Sequence, residues 1–452
     1  MAARVPPSIT VPIFGRALEF LRTRTNYEQI DRSRAALDLA PMHALLERLG
    51  HPEHKQKIIH IAGTKGKGST TWFADALLRR CGARVGRYIS PHLHRIEERV
   101  AIGGRAVSPQ LFGEAVMAVA PHADNINNGT ANATFFDVLT AAAFWIYQKE
   151  NVEFVVMETG LGGRLDSTNA TPKVAAVLTS LGLEHTEILG PTMEDIAREK
   201  AMIARSGVPL FSVTNENTPE GRVITNIAKG MGAPLYLLDR DFRAQNVRAE
   251  GRRLVFDIIT NRSSYSGVAI PSPATYQIEN ATLAAAVVDE LEAKGWIRGL
   301  AAALQNPPDA AISDFTIPGR FEIVDSEPPV VIDGAHTAES LAALFDAVER
   351  VFPGRSRVVV FGASQDKDLP RLLRILSGRA DLIVATQSSS MRAAEAGTVA
   401  TAASAAGIVT KTVRDPAAAI ESARAMRDAV VVVTGSLYLV ADARAALQLS
   451  IE

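Results

Sequence analysis

Ile58-Ile59-His60-Ile61-Ala62-Gly63-Thr64-Lys65-Gly66-Lys67-Gly68-Ser69-Thr70-Thr71 decides the fold of this chain. A mostly apolar run ends in glycines, two lysines and hydroxyls. A helix-like stretch, Trp72 to Arg80, follows directly. Strand, glycine loop and helix together make a phosphate cradle. Backbone N–H groups point inward, and the helix N-terminus adds partial positive charge. Glycine supplies the backbone angles and the close approach. In this reading Lys67 bridges the outer phosphates, and Ser69 and Thr70 bond phosphate or a metal ion. The common pattern G-x-x-x-x-G-K-[ST] is not met, because two residues separate Gly63 from Gly66 and Gly68 follows Lys67.

Outward from this segment, strands and helices alternate. Val152 to Met157, Val174 to Thr179 and Val208 to Val213 read as strands, and Met193 to Ala204 as a helix. Two amphipathic helices, Phe14 to Arg22 and Met42 to Leu49, precede the first strand. The alternation predicts a mostly parallel sheet with helices on both faces. Residues 235–270 read as a small antiparallel sheet, and Gln277 to Lys294 as a long helix. His122 to Ala133, rich in asparagine, reads as a mobile loop beside the substrate site. Asn306-Pro307-Pro308-Asp309 and Ile317-Pro318-Gly319 mark breaks. A second βα series follows, with strands at Pro329 to Ile332, Val358 to Phe361, Leu382 to Ala385 and Val430 to Val433. The expectation is two α/β domains, 1–312 and 313–452.

The chain has 452 residues, 47% hydrophobic and 21% charged, enough apolar material for a sizeable core. A formal net charge of -1 excludes nucleic-acid binding by bulk charge and leaves room for a local basic pocket. Cys81 is the only cysteine, which excludes an internal disulfide and a cysteine zinc cluster and suits a reducing compartment. The N-terminus lacks a signal-peptide apolar core, and no long uncharged apolar run predicts a membrane span. The cytoplasm is the expected location.

The loop is similar to the variant G-T-x-G-K-G-[ST] of the Mur ligase superfamily. Further segments follow in the order of one branch: Ser90-Pro91-His92-Leu93, Glu98-Arg99-Val100, Thr134-Phe135-Phe136-Asp137, Glu158 to Asp166, His185-Thr186, Glu199-Lys200-Ala201, Pro318-Gly319-Arg320, Asp333-Gly334-Ala335-His336, Asp366-Lys367-Asp368 and Thr434-Gly435-Ser436-Leu437-Tyr438. Together they resemble the folylpolyglutamate synthase and dihydrofolate synthase family over nearly the whole chain. The resemblance implies a Mur-ligase-like fold, with a P-loop ATPase domain and a smaller Rossmann-like second domain. It implies an ATP-dependent ligase joining L-glutamate to folates through an acyl phosphate. Small-molecule substrates, a monomer and a site in the interdomain cleft are expected, as is Arg320→Ala weakening ATP use without unfolding. The Gly-Gly-Arg-Leu-Asp form resembles members that also accept dihydropteroate.

The resemblance also implies roles. Gly66, Lys67, Gly68 and Ser69 hold the ATP phosphates. Asn280 lies on the adenine side, and Arg320 and Asp333 contact the nucleotide. Ser90, Glu158 and His185 match magnesium ligands, and two Mg²⁺ ions are expected. The lysine matching Lys200 is carbamylated in the family, which turns a cation into a metal-binding carboxylate. Arg99, His336 and Ser436 match positions for glutamate binding and acyl transfer, and arginine can grip a carboxylate bidentately. Phe135 and Phe136 would wall the pterin, with Asp166 bonding its ring nitrogens. Core packing is an equally good reading of the two phenylalanines.

The chain departs from the family pattern at Asp137 (usually glutamate), Glu184 (usually aspartate), Thr337 (often asparagine) and Tyr276 (often histidine). The first two keep charge and change reach by one methylene, which bears on acyl-acceptor preference. Two other readings compete. One is another Mur-type ligase with a different carboxylate substrate, although that branch usually carries an extra N-terminal domain. The other is a non-catalytic ATP-binding regulator, which would not need Lys67, Glu158 and His185.

Overall fold

Eight strands build the first sheet of this computed structural model, which describes residues 12–27, 37–126, 132–305 and 317–449. They are β1 (Lys57–Ala62), β2 (Val85–Tyr88), β3 (Val100–Ile102), β4 (Arg105–Ala106), β5 (Phe154–Glu158), β6 (Ala175–Leu178), β7 (Leu210–Ser212) and β8 (Leu235–Leu237). Their order is β4-β3-β2-β5-β1-β6-β7-β8. From β2 to β8 every pairing is parallel, and β3 and β4 add an antiparallel edge. β1 is flanked by β5 and β6, so its loop leaves the sheet at a topological switch point, where ligands gather.

Two compact units form. The first comprises Met1–Gln245, Asp257–Ser266 and Glu279–Gln305, and the second Asn246–Phe256, Gly267–Ile278 and Asn306–Glu452. The boundary expected near 312 falls within 306–316, outside the described residues. A three-stranded sheet follows the first, formed by β9 (Phe242–Glu250), β10 (Arg253–Thr260) and β11 (Ser264–Ile270) in order. The two-residue link between β9 and β10 is one that only antiparallel neighbours permit. The last sheet contains β12 (Glu322–Val324), β13 (Val330–Ile332), β14 (Ser356–Phe361), β15 (Leu382–Ala385), β16 (Thr410–Thr412) and β17 (Ala429–Thr434). Their order is β12-β13-β17-β14-β15-β16. All its pairings are parallel except β12 with β13.

Val155 and Met157 of β5 enter one core with helices Pro12–Arg22, Ala40–Arg48, Pro109–Ile126 and Phe135–Lys149. Residues 122–126 are therefore the end of a helix, not loop, and 127–131 lie outside the described residues. The second unit has its own core, around Leu341, Leu344, Val359, Phe361 and Val432. No helix among the described residues is long and apolar enough to cross a membrane.

One buried ion pair ties the helix Lys67–Arg80 to β2. Arg87 Nη1 donates to Asp75 Oδ2 at 2.8 Å, and its guanidinium lies 3.4 Å from the Trp72 ring centroid. Burial lowers the Arg87 pKa, and Asp75 opposes that shift. Asp75→Ala strands a buried cation and is expected to cost about 3–5 kcal/mol, read as a lower midpoint in guanidinium unfolding.

Candidate active site

Strand alternation aims the acidic end of β5 at the glycine loop. Val155 and Met157 face the helical core, so Glu158 shares the opposite face with Val156. Glu158 Oε1 lies 3.9 Å from Lys67 Nζ, and Oε2 accepts the Ser90 backbone N–H at 3.4 Å. A Cβ on Gly68 would stand 3.6 Å from the same Oε2. Lys67, Gly68, Ser90 and Glu158 thus meet at the C-terminal ends of β1, β2 and β5.

The loop conformation requires glycine at two points. Gly63 (φ 152°) and Gly66 (φ 88°) both occupy the positive-φ region. A Cβ on Gly63 would lie 1.8 Å from Thr179 Oγ1, and one on Gly66 2.4 Å from Asn280 Oδ1. The helix Lys67–Arg80 begins directly after Gly66, so Lys67 and Ser69 occupy its first turn, where unpaired backbone N–H groups attract anions. Asn280 is brought to this turn and accepts the Thr70 hydroxyl at 3.4 Å.

Lys200, on the helix Met193–Ala201, is buried and donates to the Gly63 carbonyl at 2.7 Å. Burial first, and then Lys67, pull its pKa down to about 7, while Glu184 and Asp166 oppose the shift. His185 stands in the left-handed region (φ 55°) ahead of the short helix Thr186–Leu189, with Nδ1 3.9 Å from Glu187 Oε1. The buried Glu158 carboxylate at the glycine loop accepts the backbone N–H of Ser90, and the oxygen donors of these two residues fit the preference of Mg²⁺.

Arg99 is buried, donates from Nε to His92 Nδ1 at 2.9 Å and lies 5.5 Å from the Phe135 ring centroid. Phe135 belongs to the helical core, while partly buried Phe136 tilts against Tyr88 at 5.8 Å. Asp137 closes a capping box with Thr134 and accepts the Ser167 hydroxyl at 2.6 Å. Asp166 caps the turn Ser167–Ala170 and accepts the N–H groups of Leu161 (2.7 Å) and Thr168 (3.1 Å). Burial raises its pKa, and these hydrogen bonds oppose the rise.

A buried chain behind Asp166 was not read from the sequence. Lys173 Nζ lies 3.1 Å from His60 Nδ1, and His60 Nε2 lies 2.7 Å from Thr168 Oγ1, whose hydroxyl donates to Asp166. Burial first, then the neighbouring Lys173 and Arg205, push the His60 pKa well below the ordinary value, and burial likewise pulls the Lys173 pKa well down. The available signal was a lone imidazole inside the apolar run Ile58 to Ala62.

In the second unit, Asp333 follows β13. It accepts the N–H groups of Phe321 (2.7 Å) and Ala335 (2.8 Å) and the Tyr276 hydroxyl (3.1 Å). Burial raises its pKa, and Arg320 is the first influence against that rise. A Cβ on Gly334 would lie 2.6 Å from Arg320 Nη1. His336 Nδ1 lies 2.8 Å from the Gly334 carbonyl, consistent with a donated N–H. Ser436 caps the helix Leu437–Ala446, with its Oγ accepting the Tyr438 N–H at 3.1 Å. Gly435 N–H bonds the Ala335 carbonyl at 2.9 Å, which joins the two segments. Thr337 caps the helix Ala338–Val351.

Two family profiles match. The Mur ligase middle domain covers residues 61–288, and the Mur ligase glutamate ligase domain covers 319–437. The dihydrofolate synthase/folylpolyglutamate synthase of Bacillus subtilis (strain 168) is 32% identical over 417 residues, spanning 91% of this chain and 95% of that protein. The Mycobacterium tuberculosis folylpolyglutamate synthase, solved with ADP and AMPPCP, superposes with a TM-score of 0.86 at 28% identity. That match covers 98% of this chain and 100% of the other. A bifunctional folylpolyglutamate synthase/dihydrofolate synthase with Mn, AMPPNP and L-glutamate bound gives 0.81 at 28% identity, covering 96% and 98%.

Proposed function

The chain belongs to the Mur ligase family, in its folylpolyglutamate and dihydrofolate synthase branch, and from that premise we propose an ATP-dependent ligase that adds L-glutamate to folates, dihydropteroate included. The observation that carries this reading is the meeting of Lys67, Gly68, Ser90 and Glu158 at the mouth of the glycine loop. A carboxylate is a poor electrophile. Transfer of the terminal phosphoryl group of ATP to the folate carboxylate forms an acyl phosphate and releases ADP. The glutamate amine then attacks the acyl carbon, loses a proton and expels inorganic phosphate, leaving an amide.

Each residue group has a physical task. Lys67 and the N–H groups of the helix turn neutralise phosphate charge that shifts during transfer. Ser90, Glu158 and His185 would hold the divalent cation, which supplies Lewis-acid polarisation of the phosphoryl oxygens. Asn280, Arg320 and Asp333 are assigned to the nucleotide. Arg99, His336 and Ser436 are assigned to glutamate and acyl transfer, and Phe136 and Asp166 to the pterin, with Phe135 supporting Arg99 from the core. Lys200 is assigned as a carbamylated lysine. The protein is assigned to the cytoplasm as a monomer.

The test is phosphate release from ATP with Mg²⁺ and L-glutamate, run separately with dihydropteroate and tetrahydrofolate and followed by product mass. A glutamate-sized gain with both acceptors is expected. Gain with tetrahydrofolate alone would remove dihydropteroate, and gain with neither would overturn the reading. Glu158→Gln removes a charge-assisted contact worth roughly 1.5–3 kcal/mol. The Mg²⁺ concentration for half-maximal rate is expected to rise at least about tenfold, measured by titration at saturating ATP.

A further inference from the structure

The turn that feeds β1 holds a cluster with no part in the chemistry above. Its sequence is Gly50-His51-Pro52-Glu53-His54. Pro52–Lys55 forms a single 3₁₀ turn, and His51 precedes it in the left-handed region at φ 55°. The His51 and His54 rings lie parallel, with centroids 4.8 Å apart and 5° between planes. Both rings share one carboxylate oxygen. Glu53 Oε1 is 3.0 Å from His51 Nδ1 and 3.4 Å from His54 Nε2.

Exposure differs sharply within this trio. The imidazoles are 47% and 59% exposed, whereas the Glu53 side chain is 3% exposed. Its second oxygen, Oε2, is buried and has no hydrogen-bond partner. A buried carboxylate with an unsatisfied oxygen is costly unless positive charge compensates it. The three ligand atoms lie within 4.8 Å of one another. Ligands about 2.0–2.1 Å from a tetrahedral Zn²⁺ stand roughly 3.3 Å apart, close to the two nitrogen–oxygen separations here, and rotation of the exposed imidazoles out of their parallel arrangement would turn both in-plane lone pairs toward one ion.

We propose that His51, Glu53 and His54 form a binding site for a zinc-like divalent cation, separate from the phosphate loop. Two imidazole nitrogens and one carboxylate oxygen favour zinc over magnesium, which prefers oxygen throughout. The exposed side leaves a coordination position for water. The cluster precedes β1 and the glycine loop follows it, so the six residues of that strand, about 20 Å in length, separate the two sites. A cation held here staples the turn at the entry to the central strand and stabilises the fold by mass action.

The test is equilibrium dialysis of the full chain against Zn²⁺ in saturating Mg²⁺, with His51→Ala/His54→Ala alongside. The double variant replaces exposed side chains and leaves the core intact. It is expected to bind one Zn²⁺ equivalent fewer than the unaltered chain. The same one-equivalent difference is expected in a His185→Ala background, which keeps uptake near Glu158 out of the comparison. Affinity at this site should fall by about a hundredfold or more, since even outer-shell changes cost about 10–100-fold. Glu53→Gln, which keeps the side-chain shape, should weaken binding in the same direction. Zn²⁺ should raise the melting temperature of the unaltered chain more than that of the double variant. Equal Zn²⁺ content in the two proteins would overturn the proposal.

Discussion

Lys67→Ala is expected to lower kcat for glutamate addition by about a thousandfold, with the melting temperature nearly unchanged. The stability half follows from packing. The Lys67 side chain is 18% exposed, donates to the Thr64 carbonyl at 3.4 Å and lies 3.9 Å from Glu158, so its loss opens no apolar cavity. The rate half follows from charge. Phosphoryl transfer moves negative charge between oxygens, and a fixed cation at a helix N-terminus stabilises that movement without reorganising. Removing one such donor costs about 10²–10³ in rate. Here the loss also leaves the Glu158 carboxylate facing phosphate without its nearest lysine, which adds repulsion. Steady-state kinetics with a parallel melting curve checks both halves. A fall of less than about tenfold would remove Lys67 from the transition state.

The parts of this fold that show in sequence are those whose signal is local and long. β1 and β17 are apolar runs, and the glycines and lysine after β1 admit few structures other than a phosphate loop. Helix starts were harder. The helix begins at Lys67 rather than Trp72, because Gly66 in the left-handed region ends the loop early, and Ser69 to Thr71 are weak helix formers that tertiary contact overrides. The same override carries a helix through Pro121 to Ile126, where asparagines suggested a loop. Val116, Val119 and Ala123 bury on its core face and decide the matter. β3, β4 and β16 have only two or three residues each, too few to show a period of two.

The candidate site divides in the same way. Glycines, cations and carboxylates in ordered motifs were legible one by one. Their supports were not, because each support comes from far along the chain. Thr179 meets Gly63, and Thr168 meets His60 from 108 residues away. Tyr276 looked only like a departure from the family pattern, yet its hydroxyl bonds Asp333 in the place a histidine often holds. Asp137, one methylene shorter than the usual glutamate, still closes its capping box and reaches Ser167.

Lys200 carries the second large effect, and it couples activity to stability with opposite signs. Its folded pKa of about 7 lies below the ordinary lysine value of 10.5, so between these values the unfolded chain holds the extra proton. Stability therefore rises with pH from about 7 to about 10, and below 7 the penalty of the buried cation is complete, about 5 kcal/mol. Lys200→Met removes that penalty. The variant is expected to melt higher than the CO₂-depleted unaltered chain at pH 6.5, with the difference shrinking by pH 9. It is also expected to lose at least about a hundredfold in ligase rate, because the methionine can neither hold a cation nor become a carbamate. The low pKa supplies neutral amine at physiological pH, and neutral amine is the form that combines with CO₂, releasing a proton. Bicarbonate should therefore raise both rate and melting temperature in CO₂-depleted unaltered protein and change neither in Lys200→Met. A bicarbonate response of equal size in the two proteins would remove Lys200 as the site of that chemistry.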